Sequence, residues 1–180
     1  MEKEINIHDK IFSIYIPENE IQGRIEELAE EMNTRYVGET PLIISVLNGS
    51  FMFTSDLMKK LRFPCELSFI RVSSYNGTES SGVVKELIGL SENPENRHVI
   101  LVEDIVDTGQ TISALIEQLK SKNPASLSVC SLLVKPERHE VIVDIDYKGF
   151  VIPDRFVVGY GLDLDGLGRN LPHIYQLKNN

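Results

Sequence analysis

The sequence predicts a single α/β domain, a mostly parallel twisted sheet flanked by helices. Three observations predict it. Continuous β-branched and aliphatic runs recur at residues 41–47, 67–72, 99–102 and 127–134, the pattern of strands covered on both faces. Segments with apolar residues at helical spacing alternate with them, such as Ile112, Leu115, Ile116 and Leu119. No linker, internal repeat or low-complexity tract divides the 180 residues, a length sufficient for one substantial core.

Taken in order, residues 1–20 are mixed, with an alternating patch at 11–16 that suits a sheet edge. Asn19 with Gln22 three residues later resembles a capping box. Ile21, Ile25, Leu28, Ala29 and Met32 then mark the buried face of a first helix, and Gly38 ends that segment. Residues 41–47 predict a strand and Asn48-Gly49-Ser50 the turn at its end. Phe51, Leu57 and Leu61 begin a second helical pattern. A third strand at 67–72 leads into residues 73–82, which are small, polar and almost without apolar anchors. Such a segment is either a passive loop or a lid that closes over a ligand. A strand at 83–90, a polar connector at 91–97 and the runs at 99–102 and 127–134 follow. Short strands at 141–145 and 150–152 and a turn at Pro153-Asp154 complete the pass.

Composition narrows the function classes. Hydrophobic content of 42% and charged content of 25% are those of a globular protein. The net charge of −9 disfavours non-specific binding to nucleic acid. Cys65 and Cys130 stand near apolar runs and form no C-x-x-C pair, so neither a zinc site nor a disulfide framework is suggested. The four histidines are scattered without metal-ligand spacing. No apolar run is long enough to span a membrane and the first residues have no signal-peptide core, so the expected location is cytoplasmic.

The junction at residues 99–112 concentrates the chemistry. Glu103, Asp104 and Asp107 precede a small polar turn, Thr108-Gly109-Gln110-Thr111, which opens onto the helix marked by Ile112. A strand end running into a helix puts a ligand at the carboxyl edge of the sheet. The helix start offers unpaired N–H groups and a positive dipole end, and Gly109 lets a ligand approach the backbone, so the turn reads as a phosphate cradle. Two carboxylates about 4 Å apart repel by roughly 4 kcal/mol at an effective dielectric near 20. A sugar diol and a magnesium ion would relieve that repulsion, one donating hydroxyl protons and the other preferring oxygen ligands. Solvated loop acids and an ordinary turn are the plainer alternative. The strand, acids, turn and helix following in register argue against it.

Residues 99–111 resemble the phosphoribosyl pyrophosphate-binding signature of type I phosphoribosyltransferases. The likeness to the hypoxanthine-guanine branch of that family runs from about residue 21 to residue 178. The resemblance implies the fold above with a small hood, formed by the N-terminal segment and residues about 150–180. It implies transfer of a 5-phosphoribosyl group to hypoxanthine or guanine, with magnesium as cofactor and assembly as a homodimer or homotetramer. Asp107 would be the general acid/base, and the amides from Asp107 to Thr111 would fix the 5-phosphate. Glu103 and Asp104 would hold the ribose hydroxyls, directly or through the metal. Asn48 and Gly49 would bind pyrophosphate in a turn that in the family contains a cis peptide, although the family usually has lysine where Asn48 stands. Ser74 and Tyr75 match a flexible lid. Lys135 would donate to the exocyclic oxygen of the purine, Phe156 would stack on its ring, and backbone groups near Val157 would read its edge. Asp163 would assist both base and metal, and Arg169 would contact pyrophosphate. The 164–168 stretch departs from the family pattern. Transfer to another base, donor binding without catalysis and a magnesium-binding signalling domain are the alternative readings.

Overall fold

The computed structural model describes residues 4–73 and 85–178. Among them, two sheets organise the chain. It begins with β1 (Glu4–Ile7), β2 (Lys10–Ile16), α1 (Glu18–Arg35), β3 (Leu42–Leu47) and α2 (Phe51–Met58). β4 (Glu66–Ser73), β5 (Lys85–Ile88), β6 (His98–Val106), α3 (Gln110–Lys120) and β7 (Ser126–Val134) follow. A 3-10 turn at Pro136–Arg138 leads to β8 (Tyr147–Val151), β9 (Val157–Val158) and β10 (Ile174–Leu177).

The larger sheet has the order β5-β4-β3-β6-β7-β8. The pairs from β4 through β8 are parallel, and β5 joins β4 antiparallel at the edge. The continuous apolar runs are explained by cover on both faces. On β3 and β6, Ile43, Ile100 and Val102 share a core with Ile25, Leu28, Phe53 and Leu57 of α1 and α2. Their neighbours Leu42, Ile44, Val99 and Leu101 share a second core with Ile112, Leu115 and Leu119 of α3. The two-residue period of the strand sends alternate side chains to opposite layers. Each fully buried leucine or isoleucine contributes about 1.5–3 kcal/mol, so these strands are fixed in register mainly by burial.

The smaller sheet, order β1-β2-β10-β9, joins the chain's two ends. β2 pairs with both β1 and β10, so the 10–16 run lies inside this sheet and not at its edge as its alternation suggests. Three other local expectations are corrected. α1 starts at Glu18 with Pro17 as N-cap and no side-chain cap bond, so Asn19 is inside the helix. The Pro17 carbonyl takes the amides of Glu20 and Ile21, and His173 Nδ1 takes the amide of Glu18 at 2.9 Å, which leaves Asn19 no capping role. α2 ends at Met58, short of Leu61. Residues 141–145 form no strand, because the amides of Glu140 and Val141 are turned toward Thr108 O. The strand expected at 150–152 is present, three residues earlier in its start, as Tyr147–Val151.

Candidate active site

The ends of β6 and β7 form one edge. Lys135 N donates to Val106 O at 3.0 Å, which ties the last residue of β6 to the first residue beyond β7. β6 is longer than its apolar run predicts, and Glu103 pairs in register with Ser131, so the acids begin inside the strand. Buried hydrogen-bond partners on β7 extend the ladder past the point where side-chain polarity changes.

Beyond Val106 the chain turns through Asp107, Thr108 and Gly109 into α3. Gly109 has φ +83°, and a Cβ there would meet Val141 O at 2.5 Å, so the turn demands glycine. Thr108 O accepts the Glu140 amide at 2.9 Å, and Gln110 Nε2 donates to the Glu140 carboxylate. A cavity of about 90 Å³ opens here, lined by Glu103, Asp107, Thr108, Gly109 and Thr111 among others. The structure therefore brings Glu103 and Asp107 to Thr111 together at one helix start, where anions are favoured.

The acids divide between two neighbours. Glu103 is buried, and its Oε1 accepts the Asp104 amide at 3.2 Å. Burial first, and the adjoining Asp104 charge second, push its pKa well above the ordinary glutamate range. Asp104 Oδ1 accepts the Ile105 amide at 2.9 Å, while its other oxygen lies against Gly49 in the turn after β3. The Leu47–Asn48 peptide in that turn is cis. A buried hydroxyl chain lies beneath it. Ser45 Oγ is 2.7 Å from both Ser50 Oγ and Thr54 Oγ1, and Ser50 Oγ donates to Val46 O at 2.5 Å.

A third segment closes on the same turn. A Cβ on Gly161 would stand 2.0 Å from Gly49 O, so the two backbones are in direct contact. Tyr160 anchors this segment by donating to Asp56 Oδ2 at 2.5 Å, where Gln22 Nε2 also donates at 2.6 Å. Arg169 donates to Gly161 O and pairs with Asp163 Oδ1, each at 2.7 Å. Asp163 Oδ2 accepts the Gly166 amide at 2.7 Å, so both its oxygens are engaged. Residues 164–167 form a tight turn closed by two Leu164–Leu167 hydrogen bonds of 3.0 Å.

On the other side of Asp107 lies a cluster of charges. Lys135 is buried, with Nζ 3.5 Å from Asp107 Oδ2 and 3.6 Å from Asp154 Oδ1. Arg138 Nε meets Asp107 Oδ1 at 2.7 Å. Phe156 is 47% exposed and lines an open cavity of about 400 Å³ with Glu137, Asp154, Arg155 and Leu177. Val157 is buried and paired with Gln176 of β10.

Arg138, Asp154, Tyr160 and Gly161 are missing from the sequence-based candidates. Only Arg138 left a signal: Pro136 after a buried strand begins a 3-10 turn, which returns the side chain three residues after Lys135 to the same edge. Ser74 and Tyr75 lie outside the described residues. Among the described residues no three His, Cys, Asp or Glu side chains form a metal-binding group. Glu103 and Asp104 are nonetheless two adjoining carboxylates short of a cation. They fit an ion that takes one or two protein oxygens and completes its shell from a ligand. No described helix is long and apolar enough to cross a membrane.

The family model for the phosphoribosyl transferase domain matches residues 17–165. The bifunctional protein TilS/HprT of Listeria monocytogenes is 44% identical over 96% of this chain, which spans 27% of that protein's length. The hypoxanthine-guanine phosphoribosyltransferase of Staphylococcus aureus is 40% identical, the match covering 96% of this chain and 97% of the relative. The solved hypoxanthine phosphoribosyltransferase of Trypanosoma cruzi, a lysine-to-arginine mutant in a ternary substrates complex, superposes with a TM-score of 0.86 at 42% identity. That match covers 92% of this chain and 94% of the other.

Proposed function

The chain belongs to the phosphoribosyltransferase family, and we propose that it serves purine salvage. It moves a 5-phosphoribosyl group from phosphoribosyl pyrophosphate to hypoxanthine or guanine, giving IMP or GMP and pyrophosphate. The observation that carries this reading is the approach of Lys135 to Asp107, 3.5 Å apart, beside a cavity at the start of α3. An ammonium next to a carboxylate presents a donor and an acceptor side by side, which suits the carbonyl and imidazole edge of an oxopurine.

The amides from Asp107 to Thr111 hold the 5-phosphate with the help of the helix dipole. Glu103 and Asp104 accept from the ribose hydroxyls, and each hydrogen bond to a charged partner is worth about 1.5–3 kcal/mol. Phe156 stacks on the base, and backbone groups at Val157 read its edge. Lys135 donates to the exocyclic oxygen. An ammonium offers donors only, so a 6-amino base is refused. A bond forms between a ring nitrogen and the anomeric carbon as the bond to pyrophosphate breaks. Asp107 takes the proton from the imidazole edge, a step that contributes about 10²–10⁴ in rate. Asn48, Gly49 and Arg169 receive the pyrophosphate, and Arg169 must loosen its hold on Asp163 to do so. Ser74 and Tyr75 belong to a lid that excludes water.

Magnesium would supply charge compensation on the departing pyrophosphate. Glu103, Asp104 and a released Asp163 would hold it. Assembly as a dimer or tetramer and a cytoplasmic location belong to the same proposal, with neither nucleic acid nor membrane as partner. Native mass measurement tests the assembly. The central test is pyrophosphate release from the donor with hypoxanthine, guanine, xanthine or adenine, with and without magnesium. Metal-dependent release with the 6-oxopurines and little with adenine is expected. Donor binding without release on any base would overturn the assignment.

A further inference from the structure

We propose that Arg138 is a positioning residue for Asp107, holding one carboxylate oxygen so that the other faces the base. The inference rests on the role given to Asp107 above. Its basis is a closed ring of four charges. Arg138 Nε lies 2.7 Å from Asp107 Oδ1 as an ion pair without hydrogen-bond alignment, which leaves that buried oxygen to be held by charge alone, and Lys135 Nζ stands 3.5 Å from Oδ2. Behind them Asp154 Oδ1 lies 3.4 Å from Arg138 Nη1 and 3.6 Å from Lys135 Nζ. Each cation therefore touches both anions.

The ring gives the two cations different roles. Lys135 is buried beside the base-facing oxygen, and its donors turn to the purine when one arrives. Arg138 stays on Oδ1. Without it, Asp107 would lose its cation at the moment it must present a lone pair, and the carboxylate would be free to rotate. The guanidinium keeps its full charge at any working pH and stands against Oδ1, so it restrains the position of that oxygen electrostatically. Backbone contacts fix the base of this arm. Arg138 N donates to Lys135 O and Lys135 N donates to Val106 O, each at 3.0 Å, so the chain carrying Arg138 is tied to the residue before Asp107.

The pair adds little to folding. The Arg138 and Asp107 side chains are 43% and 39% exposed, and such pairs contribute about 0–1 kcal/mol. Stability and turnover should therefore separate.

The test makes Arg138→Met, Arg138→Gln and Arg138→Lys in the parent and in the Asp107→Asn background. It measures kcat, the donor KM and the melting temperature. Loss of Arg138 should lower kcat about tenfold or more while the donor KM stays within about twofold, with partial recovery in Arg138→Lys. In the Asp107→Asn background, loss of Arg138 should cost nothing further, because residues acting as one unit are not additive. Losses that multiply, or an effect confined to the donor KM, would overturn the proposal while leaving Asp107 in place. Unchanged turnover in Asp107→Asn alone would remove the role of Asp107 and this proposal with it.

Discussion

The Asp104 carboxylate lies over the α-carbon of Gly49: a methyl group built there would stand 1.5 Å from Oδ2. Two residues 55 positions apart in the chain are thus in contact, one from β6 and one from the turn after β3.

Gly49→Ala follows from that contact. The atom in the way is the far end of a side chain, so the clash is relieved by rotating Asp104 off its place and breaking its bond to the Ile105 amide. The fold should lose only about 1 kcal/mol, one ordinary hydrogen bond. Donor binding should weaken about tenfold or more, the worth of one charge-assisted contact. Melting temperature and donor KM measured on the same preparation decide it. A large melting shift with an unchanged KM would contradict the account.

Glu103→Gln should stabilise the ligand-free protein. The carboxylate is buried beside another acid, which is an unfavourable place for charge, while the amide oxygen can still accept the Asp104 N–H. In chelator at neutral pH the gain should be about 1–3 kcal/mol, or roughly 2–12 °C for a chain of this size. Activity should fall. A variant that melts at or below the parent temperature would show that the buried acid is already compensated.

Lys135→Met should act on the base and spare the donor. The change leaves Asp107 and Asp154 without their shared buried cation, so kcat should fall together with affinity for the oxopurine. A loss of about 10²-fold in kcat/KM for the base is expected, since a site built to donate to a substrate loses that much when the donor goes. Equal losses for donor and base, measured by varying each in turn, would assign Lys135 a general structural role.

Asp56 gives the fold an acid-sensitive joint. Burial raises its pKa, but hydrogen bonds from Lys59, Tyr160 and Gln22 outweigh that and hold it below the ordinary aspartate value. A carboxyl with a depressed folded pKa contributes stability above its unfolded value, about 3.9, and loses it as pH falls through the folded value. Asp56→Asn should therefore cost about 1.5–3 kcal/mol at pH 7 and progressively less below about pH 4. Tyr160→Phe should show a smaller loss with the same trend. Urea midpoints across this range check it. A difference that stays constant down to about pH 3 would rule out the linkage.

Much of this was legible in the sequence for a definite physical reason. The runs at β3, β6 and β7 are apolar without alternation because two helical layers cover them, and α3 carries its 3.6-residue stripe because only one of its faces meets the sheet. The strand–acid–glycine–helix order at 98–112 likewise exposes its geometry locally, since every part lies within one turn of the next. Long-range contacts were the illegible part. His173 capping α1, Asp154 reaching Lys135 and Gly161 resting on Gly49 join residues distant in the chain, and no local pattern encodes such meetings. The 141–145 stretch misled for the opposite reason. Its β-branched run suits a strand, but the amides of Glu140 and Val141 bond to Thr108 O and Ile145 alone of it is deeply buried.

The contact of Gly161 with Gly49 also sets an order of events at the ribosome. β3 through β8 leave the exit tunnel before Gly161 does, and β10, which pairs with β2, comes later still. A nascent chain can thus complete its parallel sheet while the turn at Gly49 still lacks a neighbouring segment. The turn at Gly49 is thus completed from outside the sheet that carries it, by a segment made after every one of that sheet's strands.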